Sequence, residues 1–155
     1  MDDFASQPGV PNSYGLVQGE ANSIAAGKRP LSSMTPTLVF QKEKPNDVML
    51  VVGSPGGSTI PTTVLQVVSN VIDGKLDVVR AVGAGRFHHQ WMPDEVLIDL
   101  NGLEPATVSA LEAIGHTFKR IEKWGSAEAV MVDPVTNLRT AGSDPRNEGA
   151  ALGQD

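Results

Sequence analysis

The stretch that most constrains this chain is an apolar run that ends in a glycine-rich turn and passes directly into an apolar helix. Val48-Met49-Leu50-Val51-Val52 has the composition of a strand, and Gly53-Ser54-Pro55-Gly56-Gly57-Ser58-Thr59 follows as a turn. A second polar, turn-rich segment, Pro30-Leu31-Ser32-Ser33-Met34-Thr35-Pro36-Thr37, borders the β-formers Leu38-Val39-Phe40. If the two strands pair antiparallel, the start of the first lies beside the end of the second, and both polar segments share one rim of the sheet. Gly56 and Gly57 can take φ > 0 and let a ligand approach the backbone closely. The N–H groups that open the helix have no intrahelical acceptor. They suit a carboxylate, a phosphate or a developing oxyanion. Ser32 and Ser33 add two hydroxyls that donate or accept. The expectation is a pocket for a small anionic group. The competing reading is a plain tight turn with Ser58 or Thr59 as an N-cap.

Taken in order, residues 1–30 hold many turn formers and no helical or strand period, yet Phe4, Val10, Tyr14, Leu16, Val17 and Ile24 are scattered among them. Such a segment is expected to wrap over a surface. Strands are expected over 37–41 and 48–52, joined by the polar turn Lys42-Glu43-Lys44-Pro45-Asn46-Asp47. A helix is expected over 59–72, with Ile60, Val64, Val67, Val68 and Val71 at helical spacing, Leu65 and Ile72 widening the face, and Pro61 in the first turn. So β-branched a helix needs packing for its stability and should be buried. Helices are also expected over 76–82 and 105–114, and strands over 95–100, 117–121, 127–132 and 138–141. This order has too few parallel crossovers for a doubly wound sheet and predicts an α+β domain, with helices on an antiparallel sheet. The whole chain, 1–155, reads as a single domain, with 31–155 forming the sheet and helices.

Composition removes several function classes. With 155 residues the chain can form a real core. A net charge of −6 with no Lys/Arg cluster argues against nucleic acid and anionic membranes. The absence of cysteine excludes disulfides, thiolate metal sites and a Cys nucleophile. No apolar run reaches membrane-span length and no signal peptide is visible. His88-His89 invites a metal reading, but neighbours on a strand point to opposite faces, so structural or hydrogen-bonding roles are favoured and no metal is expected. Asp2-Asp3 has the look of a solvated pair, and Asp144-Pro145-Arg146 of a turn with an ion pair. The glycine turn lacks the Lys of a nucleotide-binding loop. No nucleophile–base–orienter set stands out among the residues.

The same segments resemble a known family. Pro30-Leu31-Ser32-Ser33-Met34-Thr35-Pro36-Thr37, Gly53-Ser54-Pro55-Gly56-Gly57-Ser58, Arg86-Phe87-His88-His89-Gln90-Trp91 and Ser143-Asp144-Pro145-Arg146 look like signature segments of γ-glutamyltransferase (γ-glutamyltranspeptidase). Met1-Asp2-Asp3-Phe4, Pro8-Gly9-Val10-Pro11-Asn12 and Gly27-Lys28-Arg29-Pro30 match as well, in order along nearly the whole chain. The resemblance implies an N-terminal-nucleophile hydrolase with an αββα sandwich, made as a precursor that cleaves itself into a large and a small subunit. The new N-terminal Thr attacks the γ-glutamyl amide of glutathione and related compounds, with its own α-amino group as base. The γ-glutamyl group then passes to water, an amino acid or a peptide, with no cofactor. This chain would match the C-terminal part of the small subunit. Asp3 would bind the α-amino group of the γ-glutamyl moiety, Ser32 and Ser33 its α-carboxylate, and the N–H groups of Gly56 and Gly57 would form the oxyanion hole.

By this match the catalytic Thr lies upstream of Met1, and the large subunit supplies an Arg for the α-carboxylate. The sandwich is expected to be incomplete at its N-terminus, and the chain by itself inactive. The partners implied are a γ-glutamyl compound, the large subunit and the upstream part of the small subunit. The family's setting is periplasmic or extracellular. Three functional readings follow: a portion of a γ-glutamyl-transferring enzyme, a non-catalytic remnant or binding module that keeps the amino-acid pocket, and a truncation product without a function of its own.

Overall fold

The computed structural model describes residues 3–153. Met1 and Asp2, which open one of the matching segments, lie outside the described residues. The strands β1 (Thr37–Phe40) and β2 (Val48–Gly53) form the antiparallel pair read from the sequence, with Thr37 opposite Val52 and Leu38 opposite Val51. After β2 the chain makes a short 3-10 turn, Gly57–Thr59, and enters α1 (Ile60–Ile72). Next come α2 (Val78–Gly83), β3 (Phe87–His88), β4 (Val96–Ile98), α3 (Pro105–Glu112), β5 (Phe118–Arg120), β6 (Glu128–Val132) and β7 (Arg139–Ser143).

Two sheets result. The larger has the order β1-β2-β6-β7 and is antiparallel throughout; the smaller has the order β3-β4-β5. The smaller sheet departs from the expected antiparallel layer, because β4 and β5 pair parallel. The reason is α3, which lies between them in sequence and returns the chain to the end from which β4 started. Strand β3 has no counterpart in the sequence reading, since two residues give no period to detect.

The core lies between the larger sheet and the helices α1 and α2. Leu50 and Val52 of β2 and Ala129 of β6 point into it and meet Ile60, Val64, Val67 and Val71 of α1 and Val78, Ala81 and Val82 of α2. Those α1 positions recur at the helical period, so burying one face positions the helix that starts at the glycine turn. Two expectations fail here. Leu65, expected to widen the apolar face, is 64% exposed, so α1 buries one face only; and the helix expected over 105–114 ends at Glu112, which leaves Ile114 beyond it and 74% exposed.

The opposite face of the larger sheet carries a second apolar file. Leu38, Val51, Val130 and Ala141 are successive partners across the four strands. Leu38, Val51 and Val130 stay exposed, together with Phe40. A contiguous apolar sheet face drives association unless something covers it. Produced as these 155 residues by themselves, the protein is expected to self-associate and to bind a hydrophobic dye in its native state. Analytical ultracentrifugation checks this; a clean monomer with a sharp two-state melt would contradict it.

Candidate functional site

Pairing of β1 with β2 brings the two polar segments together. Ser33 Oγ donates to the Gly57 carbonyl at 2.7 Å, a contact that spans 24 residues of chain. Ser32 Oγ accepts from the Met34 N–H at 3.2 Å, which leaves its own proton available to a ligand. Asp3, Asn12, Tyr14, Leu16 and Gln18 of the N-terminal segment, Leu31, Ser32 and Ser33 of the segment before β1, and Gly57 and Ser58 of the glycine turn line one cavity of about 250 Å³. Gly56 is not in that lining; it stands one residue before Gly57, as the N-cap of the 3-10 turn.

Both glycines have positive φ, 143° at Gly56 and 58° at Gly57. A Cβ on Gly56 would come within 2.6 Å of Thr59 Oγ1, and one on Gly57 would strike the ring of Tyr14. Only glycine fits either position without displacing a neighbour. Thr59 locks the turn, giving both its N–H and its hydroxyl to the Gly56 carbonyl at 3.2 and 3.0 Å. Among the described residues the N–H groups of Gly56 and Gly57 meet no acceptor. They precede the first carbonyl that the helix can use.

Asp3 reaches the cavity because the N-terminal segment folds back on itself, through backbone hydrogen bonds from the N–H groups of Ala5 to Asn22, Gly9 to Gln18 and Asn12 to Leu16, and through side-chain ties. Buried Asn22 donates to the Asp3 carbonyl at 2.6 Å and accepts from the Leu31 N–H at 3.0 Å, so one amide joins the start of the segment to its end. Asn12 Oδ1 accepts from the N–H groups of Tyr14 and Leu16, which sets the turn that presents Tyr14. In sequence Asn22 is only a polar residue among turn formers, and nothing local marks it as a tie.

The signature Arg86-Phe87-His88-His89-Gln90-Trp91 supports this rim from behind. His88 is buried, with Nδ1 2.8 Å from Thr62 Oγ1 and Nε2 3.0 Å from Gln90 Oε1. His89 is exposed and pairs with Asp94 at 3.0 Å. The two imidazoles point apart, and among the described residues no group of His, Asp and Glu is placed to hold a metal. Arg86 is 2% exposed and pairs with Asp144 at 2.7 Å. It also donates to the carbonyls of Val82 at 2.9 Å and Trp124 at 3.2 Å. Burial, and then the charge of Arg146, pull the Arg86 guanidinium below its usual value, against the opposing pull of Asp144. Burial alone would push Asp144 up; hydrogen bonds from the Ala127 and Arg146 N–H groups and from Arg86 outweigh it and hold the carboxyl below the ordinary carboxylate value. Arg146 completes the cluster, bonded to Asp144 at 3.1 Å and to Asp99 at 2.5 Å. The turn expected at 144–146 therefore does contain an ion pair, but its buried partner, Arg86, is 58 residues away in sequence (144 − 86).

One carboxylate and several hydroxyl donors suit a small zwitterion, and the unengaged N–H pair beside them suits an oxygen that gains negative charge.

Residues 1–154 match the family model described as gamma-glutamyltranspeptidase. The glutathione hydrolase proenzyme of Escherichia coli (strain K12) is 52% identical over 147 residues, covering 95% of this chain and 24% of that protein. The crystal structure of the Helicobacter pylori gamma-glutamyltranspeptidase T380A mutant superposes with a TM-score of 0.88 at 49% identity, over 95% of this chain and 78% of that one. Gamma-glutamyltranspeptidase from Pseudomonas nitroreducens, in complex with L-DON, gives a TM-score of 0.89 at 39% identity, over 99% of this chain and 79% of that one. The chain spans about a quarter of the length of the Escherichia coli protein and of its two Pseudomonas counterparts.

The buried cluster generates a stability prediction. Asp144→Asn leaves Arg86 charged and unpaired in the interior and is expected to cost about 3–5 kcal/mol in denaturant unfolding of the full-length protein. Because Asp144 is held below its unfolded value, its contribution is present above about pH 4 and is lost as the pH falls through the folded value. The variant should therefore lose this part of the acid dependence; unfolding curves with the same stability and pH slope as the parent would contradict it.

Proposed function

This chain belongs to the gamma-glutamyltranspeptidase family, and we propose that it forms the substrate head-group pocket and the oxyanion hole of a γ-glutamyl-transferring enzyme. The observation that carries this reading is the meeting of Asp3, Ser32, Ser33 and Gly57 around one cavity, beside two N–H groups without an acceptor among the described residues. In this reading the Asp3 carboxylate takes the α-ammonium of the γ-glutamyl moiety. Ser32 donates its free proton to the α-carboxylate. Ser33 does the same after turning from the Gly57 carbonyl, to which it donates at 2.7 Å. The Gly56 and Gly57 N–H groups receive the oxygen of the scissile amide as it gains charge.

These residues supply no nucleophile. The Thr whose hydroxyl attacks the amide, and the Arg that completes carboxylate recognition, come from the upstream part of the small subunit and from the large subunit of the same precursor. Glutathione and related γ-glutamyl compounds are the substrates; water, amino acids or peptides accept the acyl group; no cofactor takes part. The setting is periplasmic or extracellular. None of the described helices is long and apolar enough to cross a membrane. The bare apolar face of the larger sheet is where the remaining layer of the αββα sandwich would pack.

The roles divide into two kinetic classes. Contacts to the head group exist in ground and transition states alike, so Asp3→Ala and Ser32→Ala in the full-length enzyme are expected first to raise KM for glutathione. The glycine N–H groups act as charge develops. Gly57→Ala drives its Cβ into the Tyr14 ring, shifts the N–H pair, and should lower kcat on the order of a hundredfold. The 155-residue chain alone should release nothing from a chromogenic γ-glutamyl anilide. An unchanged KM in Asp3→Ala would remove Asp3 from the site; product at one equivalent from the chain alone would place a nucleophile within it.

A further inference from the structure

We propose that Gln90 is a positioning residue that clamps the Tyr14 turn onto the glycine turn, so that these two parts of the cavity lining hold one register. Its carboxamide is fully engaged. Nε2 donates to the carbonyls of Tyr14 at 2.8 Å and Met92 at 3.1 Å. Oε1 accepts from Ser58 Oγ at 2.7 Å and lies 3.0 Å from His88 Nε2. A primary amide offers two N–H donors and one oxygen with two lone pairs, so every valence is used. The amide orientation follows from its partners, because carbonyls only accept and must face Nε2. His88 then donates from Nε2, and its Nδ1 faces Thr62 Oγ1, on the first turn of α1, at 2.8 Å. The clamp therefore reaches the helix that begins at the glycine turn.

Its two ends both line the cavity. Ser58 follows Gly57 directly, and the Tyr14 ring lies so close on Gly57 that a Cβ has no space there. Among the described residues no backbone hydrogen bond joins 12–16 to 56–58. Gln90, 76 residues from Tyr14, is the polar link between them. When Nε2 loses its partners, the Tyr14 turn is free to lift, the cavity opens on that side, and the N–H pair loses the ring that backs it.

Gln90→Glu tests this with little change of shape. It keeps an oxygen toward Ser58 and His88 but sets a second oxygen against the Tyr14 and Met92 carbonyls. Ser58 and His88 can still donate to the retained oxygen, while the second oxygen repels the two carbonyls that Nε2 had joined. The readout is the ¹⁹F signal of 3-fluorotyrosine placed at position 14 of the full-length protein, with circular dichroism as a check of folding. At about pH 8 the variant should populate a displaced signal about tenfold more than the parent, the change expected for one net hydrogen bond. Gln90→Met should show the displaced signal as well. An unmoved signal in Gln90→Glu overturns the proposal. If Gln90→Met fails to fold, Gln90→Glu decides alone.

The kinetic arm rests on the head-group-pocket reading above: KM for a γ-glutamyl anilide should rise in both variants of the full-length enzyme. Absence of turnover in the parent enzyme would defeat that reading while leaving the ¹⁹F result in force.

Discussion

The arrangement depends on one buried ion pair, Arg86 with Asp144. Arg86 leads from α2 into β3, and Asp144 directly follows β7, so the pair ties the smaller sheet to the larger one. The same guanidinium takes the carbonyls of Val82 and Trp124, and the same carboxylate takes the Ala127 N–H that opens β6. Two charges in the interior are tolerable only when their remaining donors and acceptors are met. Here the partners come from separate stretches of chain, so meeting them fixes where those stretches lie.

One of those stretches is the loop that backs the glycine turn. The Ser126 N–H donates to Ser54 Oγ at 3.1 Å, and Ser54 in turn donates to the Pro55 carbonyl. Asn147 holds the Gly125 carbonyl at 2.6 Å. The glycine turn is thus braced from below by the ion-pair cluster and from the side by Thr59. A conformation with two consecutive positive φ angles and unmet N–H groups is unfavourable in isolation and persists where its surroundings over-determine it. Those N–H groups are held in place without entering the hydrogen bonding of the helix.

The N-terminal segment follows a different logic. It has almost no regular structure, and it is held by scattered backbone hydrogen bonds together with two polar side chains, Asn12 and Asn22, that satisfy backbone groups. The glycine turn, by contrast, runs directly into α1, whose Ile60, Val64, Val67 and Val71 are buried in the core.

Much of this could be read from local chemistry. The run Val48–Val52, the glycines after it and the apolar period of 60–71 specify a strand, a turn and a helix by themselves, because side-chain spacing and backbone freedom are local properties. The motif segments also carried the family resemblance, through their residues and order. The sequence did not reveal that β4 and β5 run parallel, that Leu65 and Ile114 face outward, or that Phe87 and His88 form a strand. Nor did it single out Arg86 as the partner of Asp144, Asn22 as the tie between Asp3 and Leu31, or Gln90 as the link between Tyr14 and Ser58. Each of these is a contact between residues far apart in the chain, and polar residues carry no period that betrays a distant partner. Local sequence determined which segments are strand, turn and helix. Only the tertiary structure decided which polar groups meet, because a buried donor or acceptor must find its complement wherever packing brings one within reach.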